Sequence, residues 1–330
     1  MEFETICKLV KASGVKEGEL ILIHFWGEDR DREIANRFAA AVAAEGASPV
    51  ILQQARSANR ELFANAKAGC FDDRYFEMIS GFDAVLDVFA YQPVVLGYPL
   101  EKEQLNLYRA YMARLFQALM GCKRFTQIRI PTEANAEESG LEPGDYICRM
   151  NRAYDIDYSA LAAECRREME RFSGAEKVLV RTGNGCGLHL ELAGREWLED
   201  AGDGDLPCGE IYIAPVESKT NGSVFFESLW LEDVKYTDVT LEIAGGEVTG
   251  CSDAELAGKF AGMPREERTV CELGLGMNPN VEDLCGYTLL DEKAAGTFHI
   301  AIGMNLMFGG INQASGHTDF VGKGTVEVTE

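Results

Sequence analysis

ELILIHFWGEDRDREIANRFAAAVAAEGASPVILQ, residues 19–53, decides the fold of the first half of the chain. Residues 19–26 (ELILIHFW) form a short apolar run with β-branched and aromatic side chains, the composition of a buried strand. Residues 31–45 (DREIANRFAAAVAAE) are alanine-rich with apolar positions at helical spacing, and Gly46 stops the helix. Residues 49–53 (PVILQ) resume as a strand. A strand, a helix and a strand in such close order describe a crossover between parallel neighbours.

The pattern continues outward. Residues 56–68 read as a helix ended by Gly69, and residues 83–90 (DAVLDVFA) as a third strand. Residues 100–119 read as a long amphipathic helix and 125–130 (FTQIRI) as a fourth strand. Pro131, Gly140, Pro143 and Gly144 punctuate a polar stretch, and residues 158–172 (YSALAAECRREMERF) return to helix. From Lys177 the segments become short, strand-like and broken by glycine, as in KVLVRTG, GLHLELAG and GEIYIAPVE. Ala244-Gly245-Gly246-Glu247 predicts a tight hairpin turn. Ser252 is expected to cap a helix over 253–261. The fold class predicted is an α/β N-terminal domain with a mostly parallel sheet over 1–175. A β-rich α+β C-terminal domain over 176–330 is expected to carry the metal site.

Composition narrows the function. The chain has 330 residues, 46% of them hydrophobic, enough for a large core in two domains. A net charge of −23 argues against nucleic acid, whose phosphates need a basic face, and against an anionic membrane surface. No apolar stretch is long enough to span a bilayer. Ten cysteines occur without a Cys-x-x-Cys pair, which argues against a zinc ribbon or a thioredoxin-type motif. Scattered thiols and no recognisable signal peptide point to a reducing, cytoplasmic setting.

Of the four histidines, two fall near the end of the chain. His299 lies in TFHIAIG, and His317-Thr318-Asp319 follows. On an extended segment His-x-Asp presents both side chains on one face. Imidazole with carboxylate suits zinc, manganese, cobalt or iron. Three upstream carboxylates join the candidates: Glu210 in PCGEIY, Glu272 in VCELGLG and Glu292 in LDEK. Glu272 has apolar neighbours on both sides and is expected on a buried strand, where its charge needs a metal ion or an arginine. His24 and His189 read as structural histidines. GNGCG at 183–187 lacks both GxGxxG and the Lys-Ser/Thr of a P-loop and reads as a turn. Gly309-Gly310-Ile311-Asn312 is either a plain turn or a close backbone approach to metal or substrate.

Four stretches carry a resemblance: GEIYIAPVESKTNGSVFF, CELGLGMNPNV, LLDEKAAGTFHIAIG and HTDF. In this order they resemble the metallo-aminopeptidases typified by aminopeptidase T and aminopeptidase S, over most of residues 207–320. The resemblance implies that Glu210, Glu272, His299, His317 and Asp319 stand on metal-binding positions, with Glu292 in the acidic pair before His299. It implies two divalent ions (zinc, cobalt or manganese), a homodimer, and release of N-terminal residues from short peptides. Two such ions share a bridging carboxylate and a water made acidic by them. Glu272 is expected as the bridging ligand. Glu210 is expected as a ligand or as the relay that protonates the leaving amine.

One departure stands out. The family has a tyrosine shortly after the histidine at the place of His299, and Gly303-Met304-Asn305-Leu306-Met307-Phe308 contains none. That favours a non-peptidase metal-binding descendant as one alternative. A second resemblance, to 2,5-dihydroxypyridine dioxygenases, implies a single iron held through a related His-x-Asp. There a histidine looks to stand in place of Glu272 and a smaller residue in place of His299. The carboxylate and histidine kept here suit hydrolysis better.

Overall fold

A computed structural model describes residues 1–93, 99–232 and 234–329. It divides into two compact units: Met1–Tyr158 with Gly202–Pro207, and Ser159–Ala201 with Cys208–Glu330.

The first unit runs α1 (Phe3–Ala12), β1 (Leu20–Trp26), α2 (Arg32–Ala44), β2 (Ser48–Gln53), α3 (Arg56–Asn65), α4 (Asp73–Ser80), β3 (Ala84–Phe89), α5 (Lys102–Met120), β4 (Arg124–Arg129), α6 (Glu133–Glu138) and α7 (Pro143–Tyr154). The strands pair in parallel in the order β2-β1-β3-β4, and the short strand Asp205–Leu206 adds to β4, again in parallel. All of β3, and all of β1 except Leu20, is buried, which is why both read as unbroken apolar runs. Trp26, Phe63, Phe76, Phe89, Tyr111 and Leu115 belong to one apolar cluster. His24 is structural: it is fully buried, and its Nδ1 lies 2.8 Å from Asp87 Oδ1 on β3.

The punctuated stretch after Pro131 is helical, contrary to the sequence reading. Thr132 Oγ1 accepts from the Asn135 N–H and starts α6, while Glu142 accepts from the Asp145 N–H and Pro143 opens α7. Capping side chains overcame a composition that looked like loop.

The chain continues with α8 (Tyr158–Arg171), β5 (Lys177–Arg181), β6 (Gly187–Glu191), β7 (Leu198–Asp200), β8 (the strand Asp205–Leu206 of the first unit), β9 (Glu210–Ile213), β10 (Asn221–Leu231), β11 (Val234–Ala244), β12 (Glu247–Cys251), α9 (Ala254–Gly262), β13 (Val270–Gly276), α10 (Thr288–Asp291), β14 (Thr297–Gly303), β15 (His317–Lys323) and β16 (Thr325–Thr329). From Ser159 onward α8 belongs to the second unit, ahead of the position 175/176 expected from the change in composition.

Among the described residues the second unit holds two antiparallel sheets. One has the order β12-β11-β10-β6-β5-β16, the other β15-β14-β13-β9-β7. Phe226 of the first sheet packs against Phe298 and Phe320 of the second, with ring centroids 5.8 and 6.2 Å away. The expected hairpin is present. Ala244 pairs with Glu247, and Gly245 and Gly246 have φ of +59° and +83°, as a two-residue turn of the I′ type requires. The cap of α9 is Asp253, whose Oδ1 accepts from the Leu256 N–H. Ser252, expected in that role, uses its hydroxyl to accept from the Thr240 N–H instead. GNGCG turns the chain from β5 into the antiparallel β6, and His189 is exposed on β6.

Candidate metal centre

Neighbouring strands of the second sheet bring the candidate side chains together. Glu210 opens β9, Glu272 lies on β13, His299 on β14, and His317 and Asp319 on β15. Glu272 and Asp319 both pair with Ala301, so the three residues make a row across the sheet. His299 is two positions before Ala301 on β14 and therefore shares its face. It pairs with Gly274, while Glu210 pairs with Gly276. Large polar groups thus alternate with glycine and alanine, which leaves room between them.

The distances describe one cluster. His299 Nε2 lies 3.1 Å from Glu272 Oε1 and 3.5 Å from Glu210 Oε2. His317 Nε2 lies 3.5 Å from Glu272 Oε2 and 3.4 Å from Asp319 Oδ1. Ligand atoms of Glu272, His317 and Asp319 are all within 4.8 Å of one another. His317 Nδ1 lies 2.9 Å from the Met304 carbonyl oxygen, which turns Nε2 toward the carboxylates. The cluster reaches solvent at His317, whose side chain keeps 27% of its exposure.

Burial and crowding set the charges. Burial pushes the Glu272 carboxyl up, and Asp319 adds to this, while the hydrogen bond from His299 opposes it. Burial works against charge on both imidazoles but is outweighed. The bond to Glu272 and the nearby Glu210 and Asp319 hold His299 at about 9. The bond to Asp319 and the Cys271 thiol hold His317 at about 12. Burial raises Glu292 to about 8, against the pull of the Lys293 ammonium. Asp319 is held low despite its burial, because His317 bonds it. Raised imidazole values mean that any cation bound here would compete with protons.

Two residues of the cluster, and one that braces it from outside, were not among the candidates. Lys293 is 1% exposed, and its Nζ lies 2.5 Å from Glu210 Oε1 and 2.8 Å from Glu292 Oε1. It links Glu292 to the group, and beside Asp291 and Glu292 its sequence context is that of an ordinary surface charge. Tyr212 follows Glu210 by two positions on β9 and so shares its face. Burial, then the charges of Glu210, Asp200 and Glu272, push its phenol up and keep it protonated. Its ring stands edge-on to Phe308, and Phe308 stands edge-on to His317. Glu217 left no signal. Buried, it accepts from Arg195 Nη2 (2.8 Å), Asn305 Nδ2 (2.9 Å) and the Ile311 N–H (2.8 Å). Burial would raise this carboxyl, but those bonds and the Arg195 charge hold it below the usual range. It fixes the loop that offers the Met304 carbonyl to His317. In that loop Gly310 gives close approach to Asn305, not to the carboxylates: a Cβ on it would meet the Asn305 amide at 1.9 Å.

Gly274 makes a sharper demand. A Cβ there would lie 1.9 Å from His299 Nε2, and His299 Nδ1, buried, makes no hydrogen bond that could hold the ring elsewhere. Gly274→Ala is expected to displace the imidazole, weaken metal binding and cost about 1–3 kcal/mol by overpacking. Calorimetric metal titration alongside a thermal melt checks this; unchanged affinity would contradict it.

The profile of a family described as thermophilic metalloprotease (M29) matches residues 8–329. Among solved structures, wild-type AmpT from Thermus thermophilus superposes with a TM-score of 0.68 at 18% identity, over 98% of this chain and 96% of that one. The 2,5-dihydroxypyridine dioxygenase from Pseudomonas putida KT2440 superposes with a TM-score of 0.64 at 15% identity, over 99% and 93%. At these identities the likeness is one of fold. No curated protein sequence matches the chain significantly.

Proposed function

The chain belongs to the thermophilic metalloprotease family M29, and from that premise we propose a metal-dependent aminopeptidase-like hydrolase that releases N-terminal residues from short peptides. The observation that carries this reading is the convergence of Glu272, His317 and Asp319 within 4.8 Å, with His299 beside them. An imidazole and two carboxylates suit zinc, manganese or cobalt. When bound, such an ion supplies a water acidic enough to ionise near neutral pH and polarises the peptide carbonyl.

Glu272, His317 and Asp319 are the residues that would hold the ion, with His299 as a fourth donor. Glu210 keeps one oxygen on Lys293 and has its buried Oε2 free of hydrogen bonds, 3.5 Å from His299 Nε2. In this reading Oε2 takes the proton of the attacking water and passes it to the leaving amine. In the same reading the Tyr212 phenol, on the Glu210 face of β9, donates to the developing oxyanion, a part the sequence left empty after His299. The negative charge of the chain favours approach of an N-terminal ammonium group.

A dioxygenase stands second. Mononuclear iron oxygenases use two histidines and one carboxylate, whereas the donors here are two histidines with two carboxylates, Glu272 and Asp319. A homodimer and a cytoplasmic location complete the proposal; no helix among the described residues is long and apolar enough to cross a membrane. Aminoacyl arylamides with zinc, cobalt or manganese should be cleaved, and light scattering should give twice the chain mass. Oxygen uptake on a dihydroxypyridine with iron, and no arylamide cleavage, would replace the hydrolase by the dioxygenase. Failure to bind any of these ions would remove both.

A further inference from the structure

Two-metal hydrolytic centres hold their ions about 3.5–4 Å apart, each within about 2.0–2.2 Å of its carboxylate oxygens. Here the carboxylates divide between two cations of different kinds. Glu272 and Asp319 face His317, while Glu210 and Glu292 each give one oxygen to Lys293 Nζ, at 2.5 and 2.8 Å.

We propose that the Lys293 ammonium takes the place of a second metal ion, so that the centre accepts one divalent ion, at Glu272, His317 and Asp319. This rests on the metal-binding reading of those three residues given above.

Three observations support it. Lys293 is 1% exposed, among the largest fully buried side chains described, and a buried ammonium persists only beside its counter-charges. A divalent ion bound through the oxygens of Glu210 and Glu292 that Lys293 holds would set two positive charges a few ångströms apart, where repulsion is little screened. The lysine is also built into its position. Its carbonyl accepts from the Asn278 N–H at 2.8 Å, its N–H donates to Leu290 O at 3.1 Å, and Asn278 Nδ2 donates to Cys208 O at 2.9 Å, two residues before Glu210. Gly209, the residue between, lies so close to Asn278 that a Cβ on it would stand 2.9 Å from the Asn278 Cβ. The backbones that carry Glu210 and Lys293 are thereby tied together, which keeps the lysine beside that carboxylate.

The test is a count of metal. Full-length protein is stripped with chelator, titrated with zinc or manganese by calorimetry, and analysed for bound metal after gel filtration. The wild type is expected to take one equivalent per chain. Lys293→Met is expected to take two, because the Glu210 and Glu292 oxygens that Lys293 held are then open to another cation. Glu292→Gln is expected to retain one equivalent; it decides the matter if Lys293→Met does not fold. Two equivalents in the wild type, one in both wild type and Lys293→Met, or loss of an equivalent in Glu292→Gln would each overturn the proposal. No metal in the wild type would instead overturn the underlying reading of Glu272, His317 and Asp319, and this inference with it.

Discussion

Glutamine at position 272 is expected to cost the protein its metal while leaving it folded. Glu272 is the one carboxylate that faces both imidazoles, with Oε1 3.1 Å from His299 Nε2 and Oε2 3.5 Å from His317 Nε2. Glu272→Gln keeps the volume, removes the charge and turns one ligand atom into a donor. Loss of outer partners alone weakens metal sites by about 10–100-fold, so loss of this central ligand should exceed 100-fold. Arylamide cleavage should fall at least in proportion. Stability should move the other way. Burial pushes the Glu272 carboxyl up because its charge loses hydration, a cost that the neutral amide does not carry. With metal stripped from both, the variant is expected to melt at or above the wild-type temperature, whereas a bound ion raises the wild type alone. Unchanged metal content together with unchanged cleavage would remove Glu272 from the centre.

The second large effect lies outside the cluster. Glu217→Ala should destabilise the protein by about 3–5 kcal/mol, because it leaves Arg195 a buried cation without its partner. Arg195 and Glu217 keep only 12% and 9% of their side-chain exposure, and Asn305 and Ile311 lose an acceptor in the same change. The released loop carries the Met304 carbonyl, so metal affinity should drop by about 10–100-fold as His317 loses its orientation. A double variant, Glu217→Leu with Arg195→Met, is expected to recover much of the stability without recovering the metal affinity. That outcome would separate the ion pair from the loop.

Acid dependence gives a further check on Glu217. Its folded value lies below the ordinary 4.5, so its contribution is complete above that pH and fades as pH falls through the depressed value. The stability gap between wild type and Glu217→Gln should therefore be constant at neutral pH and close below pH 4.5. Urea titrations from neutral pH into acid measure it. A gap that persists in acid would contradict the assignment.

Much of the architecture was legible because periodicity and punctuation agreed with tertiary need. β1 and β3 are buried on both faces and read as continuous apolar runs; Gly245-Gly246 has the positive dihedrals its hairpin demands. The helices α6 and α7 were missed because Pro131, Gly140, Pro143 and Gly144 outweighed the start signals of Thr132 and Pro143. The same division holds at the cluster. Side-chain alternation brings His317 and Asp319 together, as their spacing implied. The proximity of Glu210, Glu272 and His299 depends on registers between β9, β13 and β14, which no local signal fixes. Lys293 and Glu217 act through partners distant in sequence, and a buried charge is indistinguishable from a surface one until its neighbours are known.

The strand Asp205–Leu206 gives the fold an order in time. It forms the edge of the first sheet beside β4, yet the chain leaves the first unit at Tyr158 and returns only at Gly202. A growing polypeptide therefore exposes α8, β5, β6 and β7 before the first sheet can close its edge. Until then the outer side of β4 offers unpaired backbone at Gln127 and Ile128, the kind of edge that recruits a wrong strand. Neither unit is finished by the ribosome before the other has begun. A fragment cut near residue 175 would leave β4 as the edge of the first sheet, without the strand Asp205–Leu206.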